Sequence, residues 1–151
     1  MPPRNWRPYA GCPVINGIFG INFGATVNFS LDFLYGAGYN VAGYGNNRVY
    51  LTDINAFNYM WPDATMYFGT NGLQYSELLY STGYYDMSRY NIIYNDLVRT
   101  YGAPITSAAL PTGGYTTTWF GYNNSYITLT FAPNTAMGGG LRYYTTLVFG
   151  N

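Results

Sequence analysis

The chain has 151 residues, enough for one domain, and is 48% hydrophobic, 21% aromatic and only 8% charged, against about 25% charged in an ordinary soluble domain. Low charge with high hydrophobicity excludes an intrinsically disordered chain. The balance of six Arg against six Asp and Glu excludes the basic field that nucleic acid or an anionic membrane surface requires.

Residues 1–13 hold four prolines and two arginines beside aromatic residues, a pattern that predicts an extended, polyproline-like leader ahead of a single domain over 14–151. Within the leader, Tyr9-Ala10-Gly11-Cys12 comes close to a lipoprotein processing box. The preceding residues lack an apolar stretch, so the match reads as coincidence. A first strand is expected around 15–23, broken by glycines. Val27, Leu31 and Leu34 recur at helical spacing and predict a short helix that ends at Gly36 or Gly38. From Arg48 the period changes to two, which predicts strands over 48–54, 57–61, 65–68 and 73–80. Trp61-Pro62-Asp63 and Gly69-Thr70-Asn71-Gly72 serve as turns between them.

The second helix carries the strongest pattern. Tyr90, Ile93, Tyr94, Leu97, Val98 and Tyr101 form one apolar stripe, Asp86 or Ser88 can cap its start, and Gly102 followed by Pro104 stops it. A loop rich in Ala, Thr and Gly follows. A hairpin is then expected over 116–122 and 125–131, around Asn123-Asn124, because Asn tolerates the left-handed conformation of such turns. A last strand over 141–149 alternates Tyr143, Thr145, Leu147 and Phe149 against Tyr144, Thr146 and Val148. Short connections between successive strands favour antiparallel pairing. The expected fold class is therefore α+β, with two helices packed on a mainly antiparallel sheet, and a degenerate repeat of a helix followed by a meander.

MPPRNWRPYAG, then GIFGINFGAT, then YNIIYNDLVRTYGAP with TTTWFGYNNSYITLTF and LRYYTTLVFGN resemble the opening, first helix entry and closing strands of small exported Bacteroides-type proteins of unknown function. The resemblance implies export, with a signal peptide removed ahead of this chain, an α+β domain and no catalytic residues. The layout is also similar, more distantly, to the helix-plus-three-strand modules of β-lactamase-inhibitor-like and outer-membrane assembly lipoprotein folds. That likeness implies action by binding other proteins.

The chemistry on offer is narrow. With neither His nor Lys in the chain and Cys12 as its single cysteine, no Ser, Thr or Cys has a basic partner, and no disulfide within the chain can form. Asp32, Asp53, Asp63, Glu77, Asp86 and Asp96 are spread along the sequence. A sugar hydrolase could draw a pair from distant segments, and Asp53 and Glu77, both on expected strands, are the pair to check; the plainer reading is solvent-facing strand positions or partners for Arg. Metal and cofactor ligands are not clustered, and no stretch approaches the ~20 apolar residues of a membrane span.

The composition instead fits a binding surface. Tyr and Trp present apolar rings with a polar tip and lose little entropy on contact. The expected role is a non-catalytic exported module that binds a protein or glycan of the cell envelope through the face of its C-terminal sheet. Trp119, Tyr122, Tyr126, Tyr143 and Tyr144 are the candidate contact residues. Two other roles fit the same composition: a carbohydrate-binding module, and a self-associating structural protein of the cell surface, because zero net charge and strands with few charged residues favour homo-oligomers.

Overall fold

The computed structural model describes residues 13–135 and 138–151. The expected leader and Cys12 lie outside the described residues.

The described chain opens with a small hairpin, β1 (Gly17–Ile18) and β2 (Ile21–Asn22), turned by Phe19 and Gly20 at positive φ. Helix α1 (Val27–Gly36) follows. The Thr26 hydroxyl caps it by accepting the Phe29 N–H at 3.1 Å, and Gly38 at φ +83° lets the chain leave the last turn. Four strands then run as a meander: β3 (Val41–Gly45), β4 (Arg48–Ala56), β5 (Tyr59–Gly69) and β6 (Gly72–Thr82). Helix α2 (Ser88–Tyr101) begins the second half. Its meander comprises β7 (Thr106–Ala109), β8 (Tyr115–Phe120), β9 (Tyr126–Thr135) and β10 (Leu141–Gly150).

A helix followed by four antiparallel strands thus occurs twice. The two meanders join through their last strands, β6 and β10, giving one antiparallel sheet in the order β3-β4-β5-β6-β10-β9-β8-β7. The sheet is mirrored about that seam, so the first strand of each meander lies at an edge. The fold is α+β.

Three sequence expectations need correction. The residues read as a turn at Trp61-Pro62-Asp63 lie inside β5, and the turn falls at Phe57 and Asn58, both at positive φ. Proline is tolerated there because pairing of β5 with β6 begins only at Asp63, so on that side no ladder bond is lost. Opposite Pro62, Asp53 adopts φ +50°. The in–out alternation of both strands slips at this point, which buries Leu51 and Ile54 on β4 and Trp61 and Ala64 on β5. The other two corrections are β3 and β7, which fall in segments expected to be loops. Their sequences, VAGYG and TSAA, carry little alternation because an edge strand is held on one side only.

Both helices cover the same face of the sheet. Leu31 and Leu34 of α1, and Ile93 and Leu97 of α2, join Val49, Leu51, Met66, Leu78, Ile127, Leu129, Leu147 and Phe149 in one apolar core. Helix α2 ties the two halves together. Toward the first meander, Arg89 lays its guanidinium 3.6 Å from the Tyr80 ring centre and 4.4 Å from that of Tyr59, and donates to the Met60 carbonyl at 2.7 Å. Asp96 accepts from Asn58 and pairs with Arg99. Toward the second meander, the Tyr90 hydroxyl bonds that of Thr117 at 2.6 Å.

The cap position of α2 is Met87, which makes no side-chain cap bond, so neither expected cap, Asp86 nor Ser88, holds that position; Asp86, one residue ahead of it, accepts the Ser88 N–H at 2.9 Å. Hydrogen bonds from Ser88 hold its carboxyl below the usual carboxylate range. The carboxylate therefore stabilises the fold above the unfolded value near ~3.9, and this contribution disappears as pH falls through the lower folded value. At neutral pH, Asp86→Ala is expected to cost about 0.5 kcal/mol, the low end for a hydrogen bond because solvent screens the group. Denaturant unfolding at pH 7 and in acid checks this, with the variant and the parent converging in acid.

Candidate functional site

Strand parity divides the candidate residues. On β8 and β9, Thr117, Trp119, Ile127, Leu129 and Phe131 are buried beneath α2, so the alternate residues Thr116, Thr118, Phe120, Tyr126, Thr128 and Thr130 point to the opposite face. Trp119 is 1% exposed. Its indole N–H donates to the Gly102 carbonyl at the end of α2 at 2.9 Å. It is a core residue and cannot meet a partner, which corrects its place among the contact candidates. Tyr143 also belongs to the covered face, stacked on Phe131 with ring centres 5.9 Å apart and edge-on to Tyr85. Tyr122 lies in a short turn of 3-10 helix, Tyr122–Asn124, where its N–H donates to the Pro13 carbonyl. Tyr126 and Tyr144 alone of the five stand on the helix-free face.

Sequence reasoning missed the other residues on that face. In one row across the sheet, Phe120 lies beside Tyr126, then Gly150, Tyr75, Tyr67 and Arg48. Tyr67 and Tyr75 stack with ring centres 4.3 Å apart, and the Arg48 guanidinium sits 5.0 Å from the Tyr67 ring centre. Gly150 leaves room for the Tyr126 ring, which lies across it where a Cβ would overlap. Burial pushes the Tyr67 and Tyr126 phenols above their ordinary range, so both stay neutral in any physiological medium.

Beside this aromatic row the face carries hydroxyls. Thr116 and Thr118 on β8 stand opposite Thr130 and Thr128 on β9, with hydroxyl oxygens 3.1 and 3.4 Å apart. Thr146 continues one row onto β10. The signal for these pairs was present in the sequence. Residues equidistant from a tight turn face each other, as Thr116/Thr130 and Thr118/Thr128 do about Asn123. Tyr67 and Tyr75 escape this rule: equal spacing about the Thr70-Asn71 turn would set Tyr67 against Gln74, and a register shift between Tyr67 and Phe68 brings Tyr75 opposite instead.

The strand order separates the pair of carboxylates expected for sugar hydrolysis. Asp53 is on β4 and Glu77 on β6, with β5 between them. Glu77 lies level with Thr65 and hence with Tyr50, three residues from Asp53 along β4. By strand geometry their Cα atoms are roughly 14 Å apart. Among the described residues, no group of three His, Cys, Asp or Glu side chains lies close enough to hold a metal ion, and no helix is long and apolar enough to cross a membrane. In comparisons with known proteins, the chain matches no family model, no curated protein and no solved structure.

Proposed function

We propose that this protein is a non-catalytic binding module that engages a protein partner of the cell envelope through the helix-free face of its eight-stranded sheet. One observation carries the reading. Both helices lie on one face, and among the described residues nothing covers the other. Eight strands at the usual spacing give that face a width of about 34 Å, ample for the ~800 Å² that each partner contributes to a standard interface. Among the described residues its centre is tyrosine, threonine and aliphatic, and Arg48, Asp63, Glu77 and Arg142, which strand parity also places on it, sit on four different strands rather than in one cluster. Interface cores have this aromatic, charge-poor composition. The envelope location follows the resemblance of the opening segment and closing strands to exported proteins.

The test is a paired capture experiment. Tyr75→Ala with Tyr126→Ala in one chain is expected to weaken partner capture from envelope extract at least tenfold, because aromatic anchors dominate interface energy. The melting temperature should stay within a few degrees of the parent, since both side chains stand on the open face outside the core. Undiminished capture by a folded double variant would remove the face from consideration.

A second reading, self-association, is favoured by the sheet edges. Neither β3 (VAGYG) nor β7 (TSAA) carries a charged side chain, so both leave an unguarded row of backbone groups. Light scattering across a wide concentration range decides between the two. A mass that does not change with concentration supports the binding module, and growth into larger assemblies supports the edges.

A further inference from the structure

A cleft of about 550 Å³ opens between α2 and the β7–β8 hairpin, on the opposite side of the sheet from the proposed partner face. Its size lies within the ~300–1,000 Å³ of small-molecule sites. Three tyrosine rings shape it: Tyr90 and Tyr94 on α2, nearly parallel at 22° with centres 6.4 Å apart, and Tyr115 on β8, tilted 45° to Tyr90. Tyr115 is 42% exposed, so its ring is open to a ligand.

The floor of the cleft is a chain of hydroxyls. Tyr90 and Thr117 are bonded at 2.6 Å, and Thr117 and Ser107 at 3.1 Å. Tyr90 and Thr117 are buried, at 6% and 1% exposure, whereas Ser107 is exposed at the cleft mouth. Three hydroxyls carry three protons and make two bonds among themselves, so one proton is left for an outside acceptor. A phenol is the better donor, which directs the chain from Tyr90 through Thr117 to Ser107. Ser107 then offers the spare proton together with a lone pair. Asn91 adds an amide, which both donates and accepts.

The row of the sheet to which Thr117 belongs shows that this polarity is local. Beyond Thr117 the same row reads Leu129, Leu147 and Leu78 on β9, β10 and β6. Only where the row runs under the cleft, at Thr117 and Ser107, does it turn to hydroxyls. Among the described residues no Asp, Glu or Arg lines the cleft, so its lining offers nothing to pair with a phosphate, a carboxylate or an amine.

We propose that this cleft binds a neutral sugar ring, a hexose or N-acetylhexosamine unit of a glycan. Such a ring has apolar faces that stack on tyrosine and hydroxyls that both donate and accept, matching the rings and the two-way groups of Ser107 and Asn91. An uncharged aromatic ligand would use the rings but leave the hydroxyl chain without a partner.

Neutral oligosaccharides built of glucose, mannose, galactose and N-acetylglucosamine are the probes, first on an array and then, for the best binder, by calorimetry. Tyr115→Ala is expected to weaken binding roughly tenfold and Ser107→Ala about fivefold. Tyr126→Ala, on the far face, should leave affinity unchanged, and all three variants should melt near the parent. No binding of any neutral probe at millimolar concentration overturns the assignment. So does binding that survives Tyr115→Ala, or that is lost only in Tyr126→Ala. Partner capture by Tyr115→Ala separates the two sites: retained capture with lost sugar binding shows that the cleft and the open face act independently.

Discussion

Trp119→Ala is expected to destabilise the protein by about 3–5 kcal/mol, lowering its melting temperature by roughly 10–15 °C at this chain length. The indole is enclosed between β8 and α2, with the Tyr94 ring centre 5.8 Å away and its N–H satisfied by the Gly102 carbonyl. Removing it opens a cavity beneath the C-terminal end of α2 and leaves that carbonyl without its donor. The neighbouring Tyr126→Ala, one strand away but on the open face, should cost far less. Thermal unfolding of the two variants side by side reads the difference directly. A Trp119→Ala protein melting within a few degrees of the parent would contradict the burial of this side chain.

Gly72→Ala is expected to cost about 3–4 kcal/mol, the sum of left-handed backbone strain and two weakened hydrogen bonds. Gly72 has φ +88°, and a Cβ there would overlap the Gly24 carbonyl and lie 2.7 Å from that of Ala25. The approach is close because the segment entering α1 docks on the start of β6. The Gly24 N–H donates to the Leu73 carbonyl and the Leu73 N–H to the Ala25 carbonyl. Gly38 supplies the control. It has a similar φ of +83° but open space around it, so Gly38→Ala should cost only about 1–2 kcal/mol. Denaturant unfolding of both isolates the steric part. Equal losses would show that the contact between Gly72 and the α1 entry does not constrain the fold.

These two sites mark where sequence reasoning works and where it stops. Helix α2 is legible because its apolar stripe and terminal glycine agree with one another, and the buried side is the stripe itself: Tyr90, Ile93 and Leu97. The hairpin around Asn123-Asn124 is legible because both residues sit at positive φ, at 61° and 64°, where asparagine is the tolerant choice. Strand β5 is not legible across Pro62. A proline is a turn signal in sequence, and only the ending of the β6 ladder beside it makes an extended strand acceptable. Edge strands β3 and β7 escape for a related reason. A strand paired on one side and exposed on its faces needs no hydrophobic alternation, so it leaves no periodic trace.

The candidate surface shows the same division. Alternation sorts each strand into two sets of side chains, Tyr143 with Phe149 and Tyr144 with Val148, but it does not say which set the helices cover. Placing Trp119, Tyr143 and Tyr144 on one surface required them to share a face, and the register β8-β9-β10 puts Tyr144 opposite to the other two. Composition and periodicity alone determined the α+β class, the helix positions, most of the strands and the absence of His and Lys, because these depend on local backbone preference and on residue types. The joining of the two meanders at β6 and β10, the burial of Trp119, the open face around Tyr67, Tyr75 and Tyr126 and the tyrosine cleft beside β7 were decided by the tertiary structure. Each depends on which distant segments pair, and pairing across the sheet is selected by the packing of the whole core rather than by any short stretch of chain.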